Sequence, residues 1–359
     1  MPAILVLNPK AINKIIVRAP NWVGDAVMSV AAFRELRRLF PAAHITVVSK
    51  PGTADIFRDT DFVDDVLVYE RGGVSSVWKL IHELKQRRFD LALLFQNAFE
   101  AALISFLARV PLRIGYNTER RAFLLTHPVA TPSWKNERHE IFYYLNLVTE
   151  LQRNLFGAVP NEITTPEFEL SVSPERKRKA RELLAPHSAD ATKPLVLLCP
   201  GSINSRAKRW PADRYAALAD QLSESGATVA LIGSPGEVDV SRQVVDLAKR
   251  SPVLLTGKTS VAEVTALISI ADVLITNDTG PAHIGAAVGT PAIVIFGPTN
   301  PLTTRPYGPA GEIIRRPPDC APCMLRDCPI DHRCMTAITP QEVFQRARQL
   351  IQQREEVPV

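Results

Sequence analysis

Two stretches of the chain carry residue types suited to holding a phosphate. In the first, Val273-Leu274-Ile275 runs apolar into Thr276-Asn277-Asp278-Thr279-Gly280-Pro281, and Ala282-His283-Ile284-Gly285-Ala286-Ala287 begins an apolar helical pattern. A strand that turns sharply into a helix presents free N–H groups at the positive end of the helix dipole. Such an end suits an anion, commonly phosphate. Thr279 adds a hydroxyl, and Gly280 lets a ligand come close to the backbone. The competing reading is a capped helix, with Asp278 or Thr279 as N-cap and Pro281 near the first turn. In the second stretch, Pro200-Gly201-Ser202 closes an apolar run and is followed by Arg206, Lys208 and Arg209. A Gly-Ser turn with three cations suits the same anion, although a basic loop on its own is usually just solvated.

Four further features could do chemistry. Asp25 follows Asn21-Trp22-Val23-Gly24, between the first apolar strand and its helix. It either caps that helix or acts as a general base. The helix dipole pulls its pKa down, and burial beside Trp22 and Val23 pushes it up. Ionised, it could take a proton from a sugar hydroxyl. Glu237, at the end of Gly233-Ser234-Pro235-Gly236, either closes a surface turn or accepts hydrogen bonds from ribose hydroxyls. His283 is either a core histidine or a donor to phosphate or sugar. The spacing Cys320-x2-Cys323-x4-Cys328-x5-Cys334, with His332 nearby, resembles a thiolate metal site. Structural zinc is the candidate there, and a reduced, metal-free loop is the alternative. Cys199 ends an apolar strand and reads as a small buried hydrophobe.

The elements that must position these residues alternate along the chain. Apolar strands at 15–18, 45–48, 66–69 and 91–95 are interleaved with helical patterns at 26–40 and 77–88. After a polar stretch the alternation restarts, with strands at 195–198, 228–232, 273–276 and 292–296 and helices at 210–223 and 261–270. Such alternation predicts parallel sheets covered on both faces. The 359 residues exceed what one core usually supports. The expected division is a first domain at 1–172, a linker at 173–194 whose stretch 174–184 reads as a solvated helix, a second domain at 195–339 and a closing amphipathic helix within 340–359. Ligands usually sit in the cleft that two such domains leave. No Gly-x-Gly-x-x-Gly follows the first strand and no Walker A pattern occurs, so nicotinamide and P-loop readings lose support.

Composition narrows the partners. Hydrophobic residues make up 46% and charged residues 22%, as in an ordinary soluble globular protein. The net charge of +5 is spread over both halves without a basic tail. That weakens a nucleic-acid reading and fits a small anionic ligand, or weak attraction to an anionic membrane surface. No apolar run approaches the ~18 residues of a membrane span. The amino terminus lacks the layout of a secretory signal. The expectation is a cytoplasmic protein, at most peripheral to a membrane.

Taken together, the motifs resemble those of the bacterial lipopolysaccharide heptosyltransferases. Asn21-Trp22-Val23-Gly24-Asp25 with Met28-Ser29 resembles the family's opening. Pro200-Gly201-Ser202 with Lys208-Arg209-Trp210-Pro211, and Asn277-Asp278-Thr279-Gly280-Pro281 with His283, resemble its second-domain signatures. The Trp-Val-Gly-Asp form looks most like the members whose acceptor is the first heptose of the inner core. The resemblance implies a GT-B architecture of two Rossmann-like parallel-sheet domains facing a cleft. It implies transfer of L-glycero-D-manno-heptose from ADP-heptose to a Kdo-lipid A core acceptor, with inversion and with no cofactor required. Implied contact with the inner membrane is peripheral, on its cytoplasmic face. By the same resemblance Asp25 is the base and Lys208 the cation at the leaving group. Gly201, Ser202, Glu237, Asp278, Thr279, Gly280 and His283 fall to the donor. Trp22 and Gly24 fall to the acceptor, with Arg113, Arg120, Arg121 and Arg138 as candidates for its phosphates or carboxylates. The last helix would be free to return to the first domain, as in many GT-B enzymes. The alternatives are a family paralogue with another acceptor and, more distantly, a nucleotide-sugar epimerase. An epimerase needs acid/base groups on both faces of its sugar, and Asp25 is the one convincing candidate.

Overall fold

Runs of Val, Ile and Leu build the strands, because a strand buried on both faces has no polar side to alternate with. The computed structural model describes residues 11–157, 163–187 and 192–356. The parts of the expected domains, linker and closing helix at 1–10, 158–162, 188–191 and 357–359 lie outside the described residues. The chain divides into two compact units, Met1–Phe168 and Glu169–Val359. Among the described residues no helix is long and apolar enough to cross a membrane.

The first unit holds β1 (Lys14–Arg18), β2 (His44–Ser49), β3 (Asp65–Val68), β4 (Leu91–Leu94), β5 (Leu112–Tyr116) and β6 (His127–Val129). They form one parallel sheet in the order β3-β2-β1-β4-β5-β6. The helix Val30–Leu39 covers it through Val30, Phe33 and Leu36. Phe33 packs edge-on against Phe95, with ring centroids 5.3 Å apart. The long helix Glu140–Phe156 starts where His139 Nδ1 accepts from the Ile141 N–H at 3.2 Å. It ends at Gly157, whose φ of 76° is the left-handed stop that glycine adopts without a Cβ penalty.

The second unit repeats the plan with β7 (Leu195–Cys199), β8 (Thr228–Leu231), β9 (Val253–Leu254), β10 (Val273–Asn277), β11 (Ala292–Phe296) and β12 (Gly311–Arg315). Its order is β12-β11-β10-β7-β8-β9, again all parallel. Both sheets therefore have the dinucleotide-fold order, with the direction of winding reversing between β1 and β4 and between β7 and β10. Open α/β sheets bind ligands outside the carboxyl ends of their strands at such reversals.

The helix expected at 174–184 forms, as Pro174–Leu184, and begins at Ser173, whose hydroxyl accepts from Arg176 N–H. It is held in the second unit by Arg176 Nη2, which donates to Ala262 O at 3.0 Å. Its Ala180 and Leu184 are buried. The closing helix Pro340–Glu356 also belongs to the second unit. Its Val343 and Ala347 are buried in the core with Trp210, Tyr215 and Leu218, and Arg346 Nε donates to Glu312 Oε2 at 2.7 Å. A helix with an apolar stripe docks on whichever core lies within reach, and here the core of its own unit takes it.

Candidate active site

The reversal in the first sheet places Asp25 just beyond the carboxyl end of β1, in the first turn of the helix Val23–Met28. Trp22, not Asp25, occupies the N-cap, and its side chain makes no cap hydrogen bond. The capping reading of Asp25 therefore fails, although its place in the first turn still favours the ionised form. Asp25 faces the helix Glu140–Phe156. It is hydrogen-bonded to the Tyr144 hydroxyl, and its charge with that of Glu140 holds the Tyr144 phenol well above its usual range, after burial as the main cause. Burial also raises the Glu140 carboxyl, Lys135 opposes that shift, and the charge of Asp25 adds to it. Glu140 and Tyr144 are one helical turn apart and so share a face. A carboxylate pair with a buried tyrosine forms here, and only one member of it was evident from the sequence. The indole of Trp22 stands 52% exposed beside it, a large flat surface on which a sugar ring can stack.

The four arginines considered for the acceptor separate into two kinds. Arg121 is fully buried. Its Nε donates to Tyr116 O at 2.9 Å and its Nη1 to Gln96 O and Ala98 O at 2.6 and 3.1 Å. Burial lowers it to about 10. It fastens loops and cannot reach a ligand. Arg113 likewise donates to Leu124 O at 2.7 Å and Val110 O at 2.5 Å. The Arg121 assignment is corrected, because its buried guanidinium is engaged by backbone carbonyls that need donors; Arg113 remains partly exposed. Arg120 is exposed, and Arg138 is partly exposed, over the rings of Trp134 and Phe142.

The reversal in the second sheet brings the loops after β7 and β10 side by side. Thr279 is the N-cap of the helix Gly280–Ala287, but its side chain makes no cap hydrogen bond. Its hydroxyl instead donates to Asn277 O at 3.3 Å and pairs with Thr276 Oγ1. The Asp278 side chain does not cap either. It is 3% exposed and lies 3.0 Å from Lys208 Nζ, which also donates to Asp278 O at 3.1 Å. Thr299 Oγ1 donates to the same carboxylate oxygen at 2.6 Å. The helix end is thus not closed by a side chain, and the Asp278 carboxylate beside it is neutralised. His283 is buried in the first turns of this helix.

All three cations of the loop after β7 have partners, which the sequence did not reveal. Arg206 Nε pairs with Asp327 at 2.6 Å, and Arg209 donates to Ser202 O at 2.8 Å. The loop is braced by the cysteine-rich segment. Ala207 N donates to Arg326 O at 2.9 Å, and Ser205 Oγ donates to Leu325 O and Arg326 O at 3.2 Å. His332 Nε2 lies 2.6 Å from Ala207 O. The four cysteines are all free thiols. Among the described residues no group of three or more His, Cys, Asp or Glu could hold a metal ion. Cys320 and Cys328 are exposed, whereas Cys334 is buried and pushed up to about 11, mainly by burial and then by the charges of the other three. A zinc site is thus not shown here, and the backbone of the segment braces the loop that carries Lys208.

Glu237 ends the turn after β8, 7% exposed. Its Oε2 accepts from Ser234 N–H and hydroxyl at 2.8 and 2.7 Å, a reciprocal capping box. A Cβ on Gly201 would stand 2.2 Å from Glu237 Oε1, so only glycine fits there. One Glu237 oxygen is thus structural, and the other points at the loop after β7.

The profile of glycosyltransferase family 9 (heptosyltransferase) matches residues 77–333. Lipopolysaccharide heptosyltransferase 2 of Salmonella typhimurium is 28% identical over 351 residues, covering 94% of this chain and 98% of the relative. The protein of the same name from Escherichia coli K12 is 28% identical over 355 residues, covering 95% and 99%. The solved structure of E. coli ADP-heptose lps heptosyltransferase II superposes with a TM-score of 0.81 at 28% identity, covering 95% of this chain and 99% of that one.

Proposed function

Since the chain belongs to glycosyltransferase family 9, the heptosyltransferases, we propose that it moves L-glycero-D-manno-heptose from ADP-heptose to the first heptose of the lipopolysaccharide inner core. It is a glycosyltransferase of GT-B class. Full-length relatives named heptosyltransferase 2 favour this acceptor over that of another paralogue, and over an epimerase. The observation that supports the donor site best is the pair of loops at the β7/β10 reversal, with an uncapped helix end beside Lys208.

The residues divide the reaction between them. Asp25 takes the proton of the acceptor hydroxyl as that oxygen attacks the anomeric carbon. Tyr144 and Glu140 hold and tune Asp25, and Trp22 carries the acceptor sugar. The bond from the anomeric carbon to the diphosphate oxygen breaks, and ADP leaves with the electron pair. Lys208, the Thr279 hydroxyl and the N–H groups of Thr279 and Gly280 stabilise that growing charge, which is where fixed dipoles act most strongly. Asp278, neutralised by Lys208 and Thr299, does not repel it. Gly201 and Ser202 admit the nucleotide against the backbone, with Glu237 Oε1 on the ribose side and His283 behind the phosphates. No metal takes part in these steps. Arg120 and Arg138 serve the acceptor's anionic groups, and contact with the cytoplasmic face of the inner membrane is peripheral.

Asp25→Asn tests the assignment. It should lower transfer by ~10²–10⁴-fold, the usual contribution of a general base, while ADP-heptose affinity is unchanged. Near-normal turnover with an intact fold would mean that another group takes the proton.

A further inference from the structure

We propose that Asn277 is a positioning residue that sets the spacing between the loop after β7 and the helix end after β10. The proposal rests on the reading that these two loops hold the diphosphate of the nucleotide. Parallel pairing between β7 and β10 stops at Cys199 and Thr276. The next residue on β7 is Pro200, which has no N–H to continue a ladder, and Gly201 after it restrains the backbone little. The side chain of Asn277 takes over at that point. Its Nδ2 donates to Pro200 O at 2.9 Å and to Gly201 O at 3.0 Å. Its Oδ1 accepts from Trp210 N–H at 3.0 Å and from the Tyr215 hydroxyl at 3.1 Å.

The side chain is fully buried, and all four of its hydrogen-bonding positions are engaged. Two carbonyls on one side and a backbone N–H on the other fix which end is the amide nitrogen. An apolar residue would fill the volume but leave Pro200 O and Gly201 O without donors, at a cost that buried carbonyls rarely bear. Asn277 therefore joins the segment carrying Gly201 and Ser202 directly to the residue preceding Asp278, Thr279 and Gly280. Nothing in composition or periodicity distinguishes this asparagine from a turn residue. Its partners lie 62 to 77 positions away in the chain.

The full-length protein can be titrated with ADP by calorimetry, as wild type, Asn277→Asp and Tyr215→Phe. Asn277→Asp keeps the shape but replaces the donor with a carboxylate oxygen facing two carbonyls. It should raise the Kd for ADP at pH 8 by at least ~10-fold, on the order of one lost charged-group hydrogen bond. Relative to wild type, that deficit should shrink at pH 5.5, because the protonated acid again donates to a carbonyl. The KM for the nucleotide sugar should rise more than kcat falls. Tyr215→Phe removes one partner of Oδ1 and leaves the Nδ2 bonds in place, so it should lower Tm with ADP affinity within about twofold. If Asn277→Asp does not fold, Asn277→Ser, which keeps one donor, is judged by the same KM-against-kcat criterion.

Wild-type ADP affinity in the Asn277 variant would overturn the proposal. So would an equal loss in Tyr215→Phe, which would make Asn277 a core residue and nothing more. Thr279→Ala and Lys208→Ala separate this failure from that of the underlying reading. If they weaken ADP binding while Asn277→Asp does not, only the positioning role falls. If none of these substitutions affects ADP, the diphosphate lies elsewhere.

Discussion

Lys208 has two duties, and a two-substitution cycle separates them. Its ammonium lies 3.0 Å from a carboxylate that is 3% exposed, while the lysine itself is 24% exposed. Lys208→Met keeps most of the stem and removes the charge, leaving Asp278 paired with the Thr299 hydroxyl. Breaking a fully buried pair costs about 3–5 kcal/mol. The lysine end is reached by water, so roughly half applies, ~2 kcal/mol. For a unit of this size that is a fall in Tm of about 4–8 °C. Adding Asp278→Asn removes the stranded charge and keeps an acceptor for Thr299, so most of the lost stability returns. Turnover does not return. The leaving diphosphate still lacks its cation, a deficit of ~10²–10³-fold. The assays are thermal unfolding and steady-state transfer on the single and double variants. A single variant as stable as wild type would refute the neutralisation argument. A double variant with restored turnover would refute the leaving-group role and make Lys208 only the partner of Asp278.

Two other outcomes follow from the first unit. The Glu140 carboxyl is raised in the folded state, mainly by burial and then by Asp25. The fold therefore holds that proton more tightly than the unfolded chain does, and stability declines as pH rises from about 4.3 through the raised value. Glu140→Gln removes this decline, so urea melts should show its advantage over wild type growing across that window and level above it; a pH-independent difference would contradict the assignment. Arg121→Ala leaves the carbonyls of Tyr116, Gln96 and Ala98 without their donor, and a loss of roughly 3 kcal/mol or more is expected. Arg120→Ala, at an exposed position, should stay within about 0.5 kcal/mol, with any effect confined to acceptor KM.

The alternation of apolar runs and helical patterns located most strands, and the glycine and aspartate punctuation located their carboxyl ends. β5, β6, β9 and β12 do not stand out, because Arg113, Gly115 and Pro128 interrupt the first two, β9 has two residues, and Glu312 and Arg315 break the apolar run of β12. What composition and spacing do not encode is which partner a charged residue finds. Lys208 and Asp278 are 70 positions apart, and Arg121 looks no more buried in the sequence than Arg120 beside it. The cysteine spacing points to an ion, but it does not reveal that backbone carbonyls of the same segment brace the Lys208 loop. Glu140 and Tyr144 joined Asp25 only because the sheet reversal at β1/β4 and the helix Glu140–Phe156 bring distant segments together. In each case the residue was visible and its environment was not, since environment is set by topology.

The central claim is transfer of a second heptose, and mass spectrometry of the acceptor tests it most directly. Purified protein with ADP-heptose and mono-heptosylated Kdo2-lipid A should yield an acceptor heavier by one heptose residue, with release of one ADP for each transfer. Addition to Kdo2-lipid A lacking heptose, with none to the mono-heptosylated form, would contradict the assigned acceptor, and no addition to either would contradict the activity itself.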